Sequence, residues 1–440
     1  MKNSAIEIFC DWGIVFGLCA SIFVLPASVA FLDSFAALAV FFYLIKKISR
    51  IVIDWPLRSA PLNVLGKCRS VWNGFSPPEN ILDRPLQLLS LAIFISVVFS
   101  AYPGLSFLAF FGKFVKSIFV YFSFLEAMRD EKRIRLFITF LLASAFLTAI
   151  CGVVQQFNGH DFLKGHRMAG GRVSSFFKEA NGLAAYLVPV IGLAVSLLFT
   201  AFTRKRSWIL TVALTALLIV LLSCLCWTYS RSSWIGCMVI FFVMTLLDRR
   251  KVFLAGALLL LIILVFLPSL KHVRHLHLIT DDNVTSVQKG SLMISALKQG
   301  GSGRISFWKN AVSIIRTSPI CGTGFNTYTR VIKRNPDKNT WWYAHNCYLQ
   351  LTAETGLLGL GCFLWMLFVL LRHGLSYCRQ ISDPWPLTYL QGTVAGLIGY
   401  LVQSFFDNTF YTSQLGLLMW ILMGLLVAVT RINIHPREKV

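Results

Sequence analysis

Long apolar stretches alternate with short polar segments along almost the whole chain. Many of these stretches hold about 20 residues, the length that a helix needs to cross a hydrocarbon core of about 30 Å. Residues 252–267 (VFLAGALLLLIILVFL) are apolar on every face, whereas strands of a membrane barrel alternate apolar and polar residues. The pattern therefore predicts an all-α polytopic membrane protein.

About twelve transmembrane helices are predicted, and they begin near Ile8, Val29, Leu86, Leu105, Leu136, Gly182, Trp208, Trp234, Val252, Asn346, Pro386 and Leu415. They divide the chain into four regions. The N-terminal helices occupy residues 1–157, and central helices with several arginines at their ends occupy residues 158–269. A long loop between spans 9 and 10 covers residues 270–344, and the C-terminal helices follow in residues 345–440.

Composition supports a membrane protein and excludes other classes. Hydrophobic residues make up 56% of the chain and charged residues 14%, with a mean hydropathy of +0.68. The net charge of +22 is divided among short segments instead of forming one basic domain, so no nucleic-acid partner is predicted. The eleven cysteines form no C-x-x-C pair, and Arg274 interrupts the histidines at 272, 275 and 277. Neither a metal nor another cofactor is predicted.

Short basic segments set the predicted orientation. Clusters such as 46–50, 129–135, 204–206 and 372–379 fall on one side when the span count is even, and basic short loops favour the cytoplasm. Both termini are then cytoplasmic. Residues 158–178, the turn 228–233, the loop 270–344 and residues 405–413 face the other side.

Positively charged side chains lie at helix ends on that outer face. Arg172 and Lys178 precede the sixth span, which Asn181 is expected to cap, and Arg231 lies in a tight reversal between two spans. Arg304 begins a predicted surface helix that also carries Trp308. Each arginine alone is explained by anchoring to lipid phosphates, but several guanidinium groups together favour a bound anion such as pyrophosphate.

The tenth span begins at His345 and carries polar residues into the membrane: Asn346, Gln350 and Glu354. A lone histidine here is most often an interfacial side chain. Beside an anion site, however, imidazole is the side chain suited to accept a proton near neutral pH. Two other features stay undecided. Lys113 and Lys116 either line a polar path or shift the boundary of their span, and Asp407 either balances the outer cations or belongs to an ordinary loop.

Four motifs, in this order, resemble the O-antigen ligase and polymerase superfamily of bacterial envelope glycan enzymes. They are RVSSFFKEANGLA from Arg172, SRSSW from Ser230, GRISFW from Gly303 continuing to CGTGF from Cys321, and HNCYLQLTAETGLLG from His345. The resemblance covers roughly the C-terminal two-thirds of the chain. It implies a glycosyltransferase C-type fold in the bacterial inner membrane, with a periplasmic active site under the long loop.

The resemblance also implies a reaction and its residues. The donor is a glycan on undecaprenyl pyrophosphate, and an O-antigen ligase transfers it to the lipid A–core sugar with inversion and without a metal. Arg231 and Arg304 would bind the donor pyrophosphate, with Arg172 as a third contact, and His345 would accept the acceptor's proton.

Three alternatives remain open at this point. A repeat-unit polymerase and a protein O-oligosaccharyltransferase of the same superfamily share these residues and differ in their acceptor. A transporter of lipid-linked glycans belongs to another class, and it would need charged groups along its path.

Overall fold

The computed structural model describes residues 5–57, 80–204, 207–248, 256, 302–332 and 343–434. Among them, regular structure is helical apart from two isolated bridges. The helices are α1 (Ala5–Val24), α2 (Val29–Leu57), α3 (Asp83–Val98), α4 (Pro103–Ala109), α5 (Lys116–Ala127), α6 (Glu131–Asn158), α7 (Ala180–Thr203), α8 (Trp208–Trp227), α9 (Arg231–Asp248), α10 (Ser302–Thr317), α11 (Tyr328–Val331), α12 (Cys347–Tyr377), α13 (Pro384–Ser404) and α14 (Ser413–Ile434). A π-helical segment, Phe110–Val115, joins α4 to α5, and a 3-10 turn covers Thr409–Tyr411.

Nine helical segments in the described residues are long and apolar enough to cross a membrane. The prediction of an all-α polytopic membrane protein is therefore confirmed. Eleven predicted spans coincide with described helices, since α4, the π-helical segment and α5 together form one of them. The span expected at 252–267 and most of the loop 270–344 lie outside the described residues.

Glycines let α13 approach its neighbours closely. A Cβ atom on Gly192 of α7 would lie 2.7 Å from the Cα atom of Gly396 in α13. A Cβ atom on Gly236 of α9 would lie 2.9 Å from the carbonyl oxygen of Gly399. Contact between backbones replaces the hydrophobic driving force that is lacking between helices in lipid. These glycines hold α7 and α9 against α13.

Charged side chains join helices at one end of the bundle. The Lys46 ammonium, fully buried, forms ion pairs with Asp11 of α1 and, at 2.9 Å, with Glu126 of α5. Arg129 also pairs with Glu126, so two of the predicted basic segments meet there. The opposite end carries residues 159–179, 228–231, 318–330 and 404–411, and we call it the site end.

A break in α12 fixes part of the long loop at the site end. Gly356 has a φ of 69°, and the backbone around it pairs with residues 319–324 instead of continuing the helix. Thr323 N–H donates to the Ala353 carbonyl at 3.0 Å, and Leu357 N–H donates to the Pro319 carbonyl at 2.8 Å. Irregular backbone is tolerated at such a position only where protein satisfies its polar groups. Residues 319–324 therefore lie folded against the bundle instead of extending away from it.

Candidate active site

Strained turns mark all four sequence motifs. Four non-glycine residues in the described ranges have a left-handed φ, and each lies in or directly beside a different motif: Ser175, Tyr229, Asn326 and His345. Such backbone costs on the order of 1–3 kcal/mol per residue and persists only where the surrounding structure enforces it. In proteins generally, strained backbone of this kind is concentrated at active sites and ligand clamps. Its presence at all four motifs makes the site end the candidate functional site.

Arg172 ties the first motif to the second. Its Nε atom donates to the Thr228 carbonyl at 2.7 Å, and its Nη2 atom donates to Oδ1 of Asn181. The expectation that Asn181 caps its helix was wrong. The cap position is Glu179, and α7 begins at Ala180, so Asn181 is already inside the first turn. Its side-chain oxygen is bound by Arg172 instead of by a backbone N–H group.

Arg172 lies within electrostatic range of two charged side chains from distant parts of the chain, Asp407 and Arg304. Burial lowers the pKa of the Arg172 guanidinium, Asp407 raises it, and Arg304 lowers it. The head of the lid segment, which we define as residues 302–332, therefore lies near the first motif. Lys178 is exposed.

Arg231 is the first residue of α9, and its side chain is exposed. It makes no hydrogen bond or ion pair with another residue in the described ranges. Buried serines surround its base, and Ser233 Oγ donates to Ser230 Oγ at 2.9 Å. Arg172 thus interacts electrostatically with both Arg304 and Asp407, while Arg231 lies at the same end of the bundle and its guanidinium has no partner among the described residues.

His345 is held between the lid segment and the turn before α14. Its φ is 48°, and its Nδ1 atom lies 3.5 Å from Oδ1 of Asp407. The Phe307 ring lies 5.5 Å from the imidazole ring, between centroids. Asn346 caps α12, because its Oδ1 accepts from the N–H groups of Tyr348 and Leu349. Asp407 is the site residue whose role the sequence left undecided.

Gln350 and Glu354 support the segments on both sides of His345. The Glu354 carboxylate is buried and accepts from Asn326 N–H at 2.8 Å and from Tyr328 N–H at 3.2 Å. Gln350 Nε2 donates to the same carboxylate at 3.3 Å, and its Oε1 accepts from Ala344 N–H at 3.4 Å. One network therefore joins the lid segment to the residue before His345.

A small groove lies beside this network, with Lys113 and Lys116 in its wall. Lys113 Nζ donates to Oδ1 of Asn326 at 2.9 Å, and Lys116 pairs with Asp33 at the same distance. The groove has a volume of about 100 Å³, and its other walls include the aromatic rings of Phe114, Phe325, Phe410 and Trp420. Both lysines thus lie inside the candidate span Pro103–Ala127, where they line this groove.

The described residues contain no group of three or more His, Cys, Asp or Glu side chains that could hold a metal ion. The positive charge at the site end instead comes from guanidinium and ammonium groups. The arrangement can accept a proton at His345 beside a cationic region suited to a phosphate group.

Residues 216–364 match a family model described as O-Antigen ligase. This segment is about a third of the chain and contains Arg231, Arg304 and His345, while Arg172 and Asp407 lie outside it. No curated protein matches the chain.

Proposed function

We propose that this chain, a member of the O-antigen ligase and polymerase superfamily, transfers a glycan from undecaprenyl pyrophosphate to the lipid A–core sugar. In this proposal, the reaction takes place at the periplasmic face of the bacterial inner membrane, and both chain termini are cytoplasmic. The observation that carries it is the pairing of His345 with Asp407, at 3.5 Å, beside Arg172 and Arg304.

His345 is the proposed general base. With Asp407 facing Nδ1, the neutral ring carries its proton on Nδ1 and leaves Nε2 free to accept one. The acceptor hydroxyl loses its proton to Nε2 as its oxygen attacks the anomeric carbon of the donor sugar. The resulting imidazolium is stabilised by the Asp407 carboxylate.

The leaving group is undecaprenyl pyrophosphate. The bond between the anomeric carbon and the phosphate oxygen breaks as the new glycosidic bond forms, so the anomeric configuration is inverted. The bonding electrons remain on the phosphate oxygen. Arg304 and Arg231 have guanidinium groups without hydrogen-bond partners in the described residues, so they would bind the pyrophosphate and stabilise this charge.

Arg172 would contribute differently. Two of its nitrogen atoms already bind Thr228 and Asn181, and these bonds fix the orientation of the guanidinium. Its remaining N–H groups would donate to the pyrophosphate. Since these arginines supply the neutralising charge, the proposed step requires no metal.

The test compares variants in cells that assemble a lipid-linked O-antigen. His345→Ala and Arg304→Ala should be expressed and inserted into the membrane, yet leave the lipid A–core uncapped. His373→Ala is the control, because this histidine is half-buried and binds Thr430 at the other end of the bundle. Normal capping by His345→Ala would refute the assignment.

Purified protein identifies the branch of the superfamily. It would be incubated with the lipid-linked glycan and, separately, with lipid A–core, a second lipid-linked repeat or an acceptor protein. A product on lipid A–core supports the ligase, whereas products on the other two acceptors identify a polymerase or a protein O-oligosaccharyltransferase. Transport of the glycan without a covalent product would identify a transporter.

A further inference from the structure

Polar atoms without partners are concentrated around His345. The described residues contain ten buried side-chain nitrogen or oxygen atoms that make no hydrogen bond. Six of them belong to five residues that we call the polar cluster: Trp308, Asn346, Gln403, Asp407 and Asn408. Buried polar groups are normally satisfied, so a concentration of exceptions requires an explanation.

The polar cluster lies at the same end of the bundle as the proposed base. Asn346 follows His345 in sequence, and Asp407 faces it at 3.5 Å. Gln403 lies in the last turn of α13, and Asn408 follows Asp407 in the turn between α13 and α14. The Trp308 ring lies 5.6 Å from the Phe405 ring, which begins that turn. The side chains of Asn346 and Gln403 are almost completely buried.

The unpaired atoms define the chemistry of a ligand. Three are donors, namely Trp308 Nε1, Asn346 Nδ2 and Gln403 Nε2, and three are acceptors, namely Gln403 Oε1, Asp407 Oδ2 and Asn408 Oδ1. A phosphate offers mainly acceptors and a cation offers donors, but a hydroxyl group both donates and accepts. Vicinal hydroxyl groups of a sugar ring therefore fit this mixture.

We propose that the polar cluster binds ring hydroxyls of the acceptor sugar, next to the hydroxyl that gives its proton to His345. This inference rests on the proposed function. The acceptor is favoured over the donor sugar because Asp407 belongs to the cluster and also faces the base that the acceptor must reach. The Trp308 and Phe405 rings provide apolar surfaces for the C–H groups of the sugar.

Access to the polar cluster requires the lid segment to move. In this structure the six atoms are closed off from solvent, with Trp308 against Phe405 and Phe307 against His345. The inner face of α10 rests on a small hydrophobic cluster, separate from the main core, to which Ala311 and Ile314 belong. A sugar would enter as α10 lifts and would then satisfy atoms that are unpaired in the closed form.

The experiment uses the purified full-length protein with lipid-linked glycan as donor and lipid A–core as acceptor. Gln403→Met keeps the side-chain length and removes both hydrogen-bonding atoms, and Trp308→Phe removes Nε1–H. Each should raise the KM for the acceptor roughly tenfold, as expected for one or two lost hydrogen bonds, and leave the KM for the donor within twofold. Gln156→Met is the matched control, because Gln156 Oε1 in α6 is also buried and unpaired but lies outside the polar cluster.

A second arm identifies which hydroxyls are bound. Acceptors that lack single hydroxyl groups of the terminal core sugar should lose affinity for the wild type, and for one of them Gln403→Met should cause no further loss. The proposal would be overturned if the loss of affinity from Gln403→Met added fully to the loss from the missing hydroxyl group for every deoxy acceptor. A raised KM for the donor alone would also overturn it, as would an unchanged acceptor KM in both variants, which would leave ordered water as the partner of these atoms.

Binding to the His345→Ala protein separates this proposal from the proposed function. Lipid A–core binding, measured by native mass spectrometry, should be retained by His345→Ala and weakened roughly tenfold when Gln403→Met is added. If the wild type transfers no glycan but Gln403→Met still weakens lipid A–core binding, the proposed function is wrong and the acceptor site is supported. If the wild type transfers glycan but Gln403→Met does not weaken binding, the proposed acceptor site is refuted.

Discussion

Replacing Glu354 with alanine tests how the lid segment is held. The carboxylate accepts hydrogen bonds from two backbone N–H groups of that segment, those of Asn326 and Tyr328. Alanine leaves both donors without a partner. We expect the lid segment to detach from α12 more often, while the bundle itself stays folded, because the remaining side-chain contact of Glu354, from Gln350, lies within the same helix.

The expected magnitude follows from the two lost bonds. A buried donor without a partner costs about 1–3 kcal/mol, so two cost about 2–6 kcal/mol. At 1.4 kcal/mol for each factor of ten, opening becomes roughly 30-fold to 10⁴-fold more frequent. Glu354→Gln keeps one acceptor oxygen but places an NH₂ group at the other position, so we expect an intermediate effect.

Amide hydrogen exchange measures the opening directly. In Glu354→Ala, the amides of Asn326 and Tyr328 should exchange at least 30-fold faster than in the wild type. Thr352→Val is the control, because Thr352 is buried in the same helix and its hydroxyl binds only the Tyr348 carbonyl. Exchange of both amides within threefold of the wild-type rate would refute the role assigned to Glu354.

Two further predictions concern the backbone of the site end. Gly356→Ala should prevent folding or abolish glycan transfer, since its Cβ atom would overlap the Ile320 carbonyl oxygen. The control is Gly361→Ala in the same helix, whose Cβ atom would meet nothing within 4 Å, so melting and transfer should stay at wild-type levels. Burial raises the pKa of Asp161, but three backbone N–H groups of its own loop outweigh this and lower it. The stabilisation of that loop is therefore complete at neutral pH and is lost as the pH falls below the ordinary aspartate range through the lowered pKa. At pH 7, Asp161→Ala should speed amide exchange at Lys164 roughly tenfold, and unchanged exchange would contradict this.

Most of the helices could be predicted from apolar runs alone. A bilayer leaves no water for backbone groups, so a long apolar run has few alternatives to a helix. Local capping was harder to predict. The cap expected at Asn181 failed, because Arg172 binds the side-chain oxygen on which it depended. A contact with a residue nine positions away decided the outcome.

The pairing of His345 with Asp407 could not be predicted, because 62 residues and two helices separate them. The break at Gly356 could not be predicted from the sequence for a different reason. Glycine is common in transmembrane helices, so its presence in α12 gave no sign of a left-handed φ. Only the partner segment 319–324 shows that the helix opens there, and this pairing joins residues 30 to 38 positions apart.

The spacing within the fourth motif follows from these contacts. Asn346 fixes the start of α12, which places Gln350 one turn later, within 3.4 Å of the N–H group that precedes His345. Glu354 is four residues further and therefore lies on the same face of the helix, where it binds Gln350 and the lid segment. Gly356 then opens the helix so that the lid segment can pair with its backbone. The proposed base thus directly precedes the helix whose successive turns support it and attach the lid segment. Inserting a single residue between Gln350 and Glu354 would rotate the carboxylate by about 100° away from both partners.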